Sequence, residues 1–288
     1  AATPVASSSL ALMAHFAAGD TPEDLVVGES IRRGIAYVLD RQGGDGYFGN
    51  ADGSRMYGHG IATLMLAEAL GMCGDEDLEE RIRLALEQAV AVTVAAARRP
   101  KSDAARGGWR YHPTDQGSDL SLSGWQLMSL HATAQVGITV PEEVIAAAVD
   151  YARRLTTADG QVGYEAAGQD HPALRGAALI SFAIGGRLDL PETARVADRI
   201  VTNPIGWQGP WFYYRCYYDA VGLSRAAPAL WDGYAATLEG VLIDRQEESG
   251  AWPRPPGDNE GNHGVVYRTS MAVLALAVNK HLLPAYQR

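Results

Sequence analysis

The sequence predicts an all-α protein: an α/α toroid of about five to six helical hairpins, with inner and outer helix layers around a central cavity. Three observations carry that prediction. A glycine-plus-aromatic punctuation recurs at Gly46-Tyr47-Phe48, Gly107-Gly108-Trp109, Gly163-Tyr164, Gly209-Pro210-Trp211 and Gly250-Ala251-Trp252, at uneven intervals in the range of helical-hairpin repeats. A charged amphipathic stretch precedes each punctuation. A nearly uncharged stretch at helical spacing follows it, and a helix that is apolar or small on every side is one surrounded by protein.

Taken in order, Val5 to Ala18 reads as an inner helix without a preceding outer partner. Ile31 to Leu39, Leu78 to Ala97, Pro141 to Leu155, Pro191 to Val201 and Trp231 to Gln246 read as outer helices, with apolar residues at helical spacing. Pro22-Glu23, Pro141-Glu142 and Pro191-Glu192 mark helix openings, where proline fits the first turn and the acid meets the positive end of the dipole. Gly60 to Leu70, Leu120 to Val136, Leu174 to Ile184 and Ser270 to Val278 read as inner helices, and Trp211 to Asp219 heads another. No Val/Ile/Thr alternation runs far enough to make a strand. The whole chain, 1–288, reads as one domain. Closing the hairpins into a ring is favoured over an open solenoid, which would leave one flank of the apolar inner layer wet.

Composition bounds the function. With 24 Lys+Arg against 34 Asp+Glu the net charge is −10, and no basic block is present, which argues against nucleic acid or an anionic membrane as partner. The 47% hydrophobic content excludes disorder. The longest uncharged run, Leu120 to Pro141, carries Ser121, Ser123, Gln126, Ser129, His131, Thr133 and Gln135, a polar load that suits a helix buried in protein rather than lipid. Cys73 and Cys216 are too few for a disulfide scaffold and lack zinc spacing. His15, His112, His131, His171 and His281 show no metal spacing either, so no metal or cofactor is expected. Ala1 in place of methionine, with no basic n-region behind it, fits a trimmed or processed start and leans toward export, with the compartment open. Thirteen tyrosines and six tryptophans against four phenylalanines place many rings where a polar tip meets water or a cavity.

Gln246-Glu247-Glu248-Ser249-Gly250-Ala251-Trp252 reads Q-x-x-x-G-x-W, and Gln42 to Phe48 is a looser copy. This is similar to the QW motif of squalene–hopene cyclases. The chain resembles the prenyltransferase/squalene-oxidase repeat superfamily of terpenoid cyclases and protein prenyltransferases, and within it the short, uncharacterised bacterial repeat proteins. Met56 to Thr63, Gly107 to Tyr111 and Ser123 to Leu127 carry the same likeness. The resemblance implies an α/α toroid and, with it, isoprenoid chemistry.

Each chemistry that the resemblance implies asks for its own residues. Class II cyclases use the middle acid of a D-x-D-D motif. Here Asp119 stands in that place between Gly117, Ser118 and Leu120, as a modified general acid or as a cap on the helix that follows. Protein prenyltransferases hold zinc through Asp, Cys and His. Tyr214 and Arg268 replace two of these and only Cys216 survives, so Cys216 reads as a buried small hydrophobe. Carbohydrate-active toroids pair carboxylates across an aromatic groove, for which Asp219, Asp258 and Glu260 with Trp109, Trp211 and Trp252 are available.

The helix heads hold the richest constellation. Trp211, Tyr214, Arg215, Cys216, Tyr217 and Asp219 face, across a closed ring, Tyr57, His59, Trp109, Tyr111, Trp125, His171, Arg175, Trp252, Tyr267 and Arg268. In one reading the rings hold an apolar, isoprenoid-like ligand, while Arg175, Arg215 and Arg268 hold an anionic head beside the inner-helix N-termini. In the other the tyrosines fill the toroid, the arginines pair with Asp119 or Asp219, and the ring is a scaffold for a protein partner.

Overall fold

The computed structural model describes residues 3–280 and residue 283, and among these it contains eleven α-helices. They are α1 (Pro4–Ala18), α2 (Gly28–Leu39), α3 (Met56–Leu70), α4 (Glu76–Ala97), α5 (Leu120–Gln135) and α6 (Glu142–Arg154). The second half adds α7 (Arg175–Ile184), α8 (Pro191–Thr202), α9 (Phe212–Ala226), α10 (Pro228–Ile243) and α11 (Gly264–Leu276). Extended pairing among the described residues is limited to two isolated bridges, Trp109 with Asp119 and Thr156 with Val162.

The odd-numbered helices form the inner layer. α1 packs on α3, α3 on α5, α5 on α7, α7 on α9 and α9 on α11, and α11 returns to α1, so the ring closes. Each even-numbered helix lies outside the two inner helices that flank it in sequence. The two layers differ in burial as their sequences require. In α8 only Thr193, Val196, Ala197 and Ile200 are buried, one stripe at helical spacing. In α3 every residue except Tyr57 is buried. No helix among the described residues is long and apolar enough to cross a membrane.

The loop glycines join the layers. Gly46 (φ 83°) and Gly160 (φ 82°) adopt the left-handed conformation with their backbones against the next outer helix. A Cβ would lie 2.7 Å from the Gln88 carbonyl oxygen in the first case and 2.6 Å from the Arg195 carbonyl carbon in the second. Side chains are excluded there by both conformation and space. Gln42 and Gln246 tie their loops by donating from Nε2 to the carbonyls of Gly46 (3.0 Å) and Gly250 (2.9 Å).

Two expectations change. Pro22-Glu23 does not open a helix: residues 20–27 are loop and turn, and α2 starts at Gly28, whose amide bonds to the Asp24 carbonyl. His281 lies outside the described residues. Six inner helices meet five outer ones, so the α1–α11 seam has no outer cover among the described residues. Ala11, Ala14, Val266 and Val273 line a groove there, and Val265 and Val266 are exposed.

Candidate functional site

The heads of the inner helices converge on a cavity of ≈ 650 Å³. Ala6, Ser7 and Leu10 of α1, Tyr57 and Ile61 of α3, Ser121 and Trp125 of α5, Tyr214 of α9 and Tyr267 of α11 line it, with Leu174 just ahead of α7. The loops add Tyr111 and Tyr164, and at the rim the exposed Arg55, His171, Trp211 and His263. The register is consistent: Tyr57 and Ile61, like Ser121 and Trp125, occupy the second and sixth positions of their helices. Residues four apart share a face, and one step along a helix turns a side chain by about 100°.

Hydroxyls give the wall its polarity. Tyr57 donates to Ser121 Oγ (2.9 Å), and Ser121 donates to the Tyr214 hydroxyl (3.1 Å). Tyr111 and Tyr164 share a hydrogen bond of 2.9 Å. Burial pushes the phenols of Tyr57, Tyr164, Tyr214 and Tyr267 above their ordinary range, so they stay neutral donors and acceptors. Trp125 is held by stacking on Tyr217, with ring centres 5.7 Å apart and planes 9° apart, and by an edge contact with Tyr218.

Asp119 sits behind this wall, fully buried, and is not among the lining residues. Its Oδ1 accepts the Leu122 amide (2.8 Å), the N-cap bond of α5, and its Oδ2 pairs with Arg110 (3.0 Å). Burial raises its pKa; the Leu122 amide and Arg110 oppose the rise. Arg110 also pairs with Glu165 at 2.5 Å and lies 4.6 Å over the Tyr111 ring.

The three arginines expected to meet an anionic head point elsewhere. Arg175 pairs with Asp170 and donates to the Arg199 carbonyl. Arg215 pairs with Asp219 at 3.0 Å, and Asp219 also accepts the Tyr234 hydroxyl. Arg268 donates to the Trp252 carbonyl (3.2 Å). Trp109 and Trp252 are buried and give their indole N–H groups to the carbonyls of Thr93 and Leu242. Cys216 and Tyr217 are buried in the packing of α9, and burial pushes the Cys216 thiol up. Of the carboxylates that a glycan site would need, Asp219, Asp258 and Glu260 are all buried and none lines the cavity. Among the described residues no group of three or more His, Cys, Asp or Glu side chains is arranged around a common metal position.

His59 also lies outside the cavity. Its Nδ1 accepts the Phe48 amide (3.3 Å), which leaves the proton on Nε2, facing the Ala89 carbonyl and Thr93 Oγ1. Burial lowers its pKa to about 4. The unfolded chain therefore takes up a proton below about pH 6.5 that the folded chain refuses until about pH 4. The stability that neutral His59 contributes is complete above pH 6.5 and is lost as pH falls toward 4. Unfolding by denaturant across that range should show the slope in the wild type and a flatter line in His59→Gln; parallel curves would contradict the buried neutral imidazole.

Carboxylates of the chain already occupy three inner-helix N-termini. Asp52 accepts the Ala6 amide of α1 (2.8 Å) and Asp119 caps α5. Glu260 accepts the amides of Tyr213 (2.9 Å) and Tyr214 (3.3 Å) of α9 together with the Tyr267 hydroxyl (2.5 Å). The free N–H groups at those helix ends are thereby satisfied by the protein's own side chains. Among the described residues the non-glycine residues at positive φ are Arg55 (58°) and Trp211 (54°), and both stand on the cavity rim. Ser121, Tyr164, Arg55 and His263 line the cavity but were not among the cavity residues that the sequence pointed to. The helix register of Ser121 and the loop position that Tyr164 shares with Tyr111 are the signals that could have found the first two.

A closed double ring of helices around an aromatic, hydroxyl-lined cavity defines the α/α-toroid class, with a fold of the terpenoid-cyclase type. The structure is similar to a variant of the type II terpene cyclase MstE from Scytonema in complex with geranylgeranyl dihydroxybenzoate. The TM-score is 0.59 at 14% identity, covering 97% of this chain and 87% of that one. Apo MstE gives 0.54 at 15% identity over 97% and 88% of the two chains. Dfg5 from Chaetomium thermophilum in complex with glucosamine gives 0.53 at 14% identity over 96% and 79%. At these identities the likeness is one of fold. No protein-family model and no curated protein matches the sequence.

Proposed function

We propose that the chain is a single-domain toroid of the prenyltransferase/squalene-oxidase repeat type that holds an apolar, isoprenoid-like molecule in its central cavity. The observation that carries this is the open volume of ≈ 650 Å³ at the heads of the inner helices, within the roughly 300–1,000 Å³ typical of small-molecule sites. Its walls combine Trp125, Ile61, Leu10 and Leu174 with tyrosine hydroxyls and, among the described residues, include no acid. Such a lining favours a long carbon skeleton with few polar atoms. A centre filled by side chains would have left only the scaffold reading. MstE, of similar fold, is found in complex with a geranylgeranyl compound, which supports the ligand class by analogy of fold. A cyclase in which Asp119 protonates the substrate has less support, because both carboxyl oxygens are engaged behind the wall.

Titration with farnesol and geranylgeraniol tests the proposal, since Trp125 and Trp211 line the space and report by fluorescence. The expected result is saturable one-to-one binding, weakened about tenfold or more by Ser121→Phe, a loss of about 1.4 kcal/mol or more, with the helical circular-dichroism spectrum retained. Absence of saturable binding sinks the proposal. Product analysis of the same mixtures by mass spectrometry covers catalysis: a cyclised product made by the wild type and lost in Asp119→Asn would replace binding alone.

A further inference from the structure

We infer that the cavity mouth carries an anion site at Arg55, so that the ligand is an amphiphile with its chain inside and a carboxylate or phosphate at the opening. This rests on the cavity being a ligand site.

The first observation is charge. The chain has 34 acids against 24 Lys+Arg, yet among the described residues no Asp, Glu or Lys lines the cavity, and the basic lining residues are Arg55, His171 and His263. The second is availability. Unlike Arg110, Arg175 and Arg215, Arg55 takes part in no ion pair or side-chain hydrogen bond among the described residues. Asp52, on the same loop, is buried, with its oxygens accepting the amides of Ala6 (2.8 Å) and Ser54 (3.2 Å). An exposed guanidinium with an unengaged fork of donors suits a carboxylate or phosphate, which it can grip bidentately.

The third observation is backbone strain. Arg55 adopts φ 58°, ψ −127°, a conformation in which a glycine would be lower in energy. Its amide bonds to the Asp52 carbonyl (3.0 Å) and its carbonyl receives the His59 amide (3.0 Å), so the residue is pinned at the head of α3. Trp211, the other non-glycine at positive φ, is held on the same rim by its amide bond to Asn259 Oδ1 (2.9 Å). Two strained residues, one cationic and one aromatic, flank the entrance to an apolar cavity. Strain of this kind persists where the surrounding structure over-determines it, and such residues cluster at ligand clamps.

The test uses three compounds with one chain: geranylgeraniol, geranylgeranoic acid and geranylgeranyl phosphate. The wild type is expected to bind the acid, the phosphate or both about tenfold more tightly than the alcohol, and whichever is preferred identifies the headgroup. Arg55→Gln should erase the preference, bringing the acid and the phosphate down to the affinity of the alcohol in the same variant. Arg55→Gly should do the same while raising the thermal midpoint, which separates the charge from the strain. Equal affinities in the wild type, or a preference that survives in both variants, would overturn the anion site while leaving chain binding intact. Failure of all three compounds to bind would remove the cavity proposal and this inference with it.

Discussion

Replacing Gly176 with alanine is expected to destabilise the protein by about 3 kcal/mol or more, at the upper end for overpacking a well-filled interior. Gly176 lies in α7 where that helix meets α9 backbone to backbone. An added Cβ would fall on the main chain of Tyr218 and lie 2.5 Å from the Asp219 amide nitrogen. Gly222 makes the reciprocal approach, its Cβ position lying 2.7 Å from the Gly176 carbonyl oxygen. Backbone cannot rotate out of the way as a side chain can, so the seam between the two inner helices must open. Gly124→Ala is the matched control, because it also lies inside an inner helix, but its Cβ would meet nothing nearer than 3.6 Å. There alanine should be neutral or gain up to about 1 kcal/mol of helix propensity. Denaturant unfolding of the pair reads the difference directly. A Gly176→Ala protein as stable as Gly124→Ala would show that the ring does not close through this contact.

Glu260 carries the second large effect. It is fully buried at the head of α9, and burial, reinforced by Asp258, raises its pKa from the ordinary 4.5 to about 7 against the pull of the Tyr267 hydroxyl and the Tyr213 amide. Folding thus favours its protonated form. Its contribution is complete below pH 4.5 and is lost as pH rises through 7, because the unfolded chain releases the proton first. At about 1.4 kcal/mol per pH unit the loss is about 3 kcal/mol. Glu260→Gln cannot ionise, so the stability difference between wild type and variant should shift by that amount between pH 4.5 and 7 and stay level above. Any cost from turning the amide group toward the Tyr213 and Tyr214 N–H groups is a constant offset. A difference that does not vary with pH would mean that Glu260 is ionised throughout. The His59 limb runs in the opposite sense below pH 6.5, and each variant isolates its own.

Much of this architecture is legible in the sequence because it depends on local rules. A stripe of apolar residues at Val196, Ala197 and Ile200 marks a helix with one wet side. The uncharged run from Met56 to Leu70 marks a helix with none. The loop glycines announce the hairpins through their need for positive φ. Asp119 ahead of an uncharged helix reads as an N-cap, and it is one.

The site was legible only in part. Tyr57, Tyr111, Trp125, His171, Trp211, Tyr214 and Tyr267 line the cavity, whereas His59, Arg215, Cys216 and Arg268 lie one or two residues out of register with it. Each such step turns a side chain by about 100°, from the cavity into a seam between helices. The order of helices, their inner or outer role and the richness of their heads in tyrosine and tryptophan were determined by the sequence alone, since each follows from the polarity of neighbouring residues. Only the tertiary structure decided which rings face the cavity, which arginines are spent on Asp170 and Asp219, and that Arg55, at the entrance, has no ion-pair partner among the described residues. Those outcomes depend on the rotation of each helix about its axis and on partners brought in by ring closure, and no local stretch of chain encodes either.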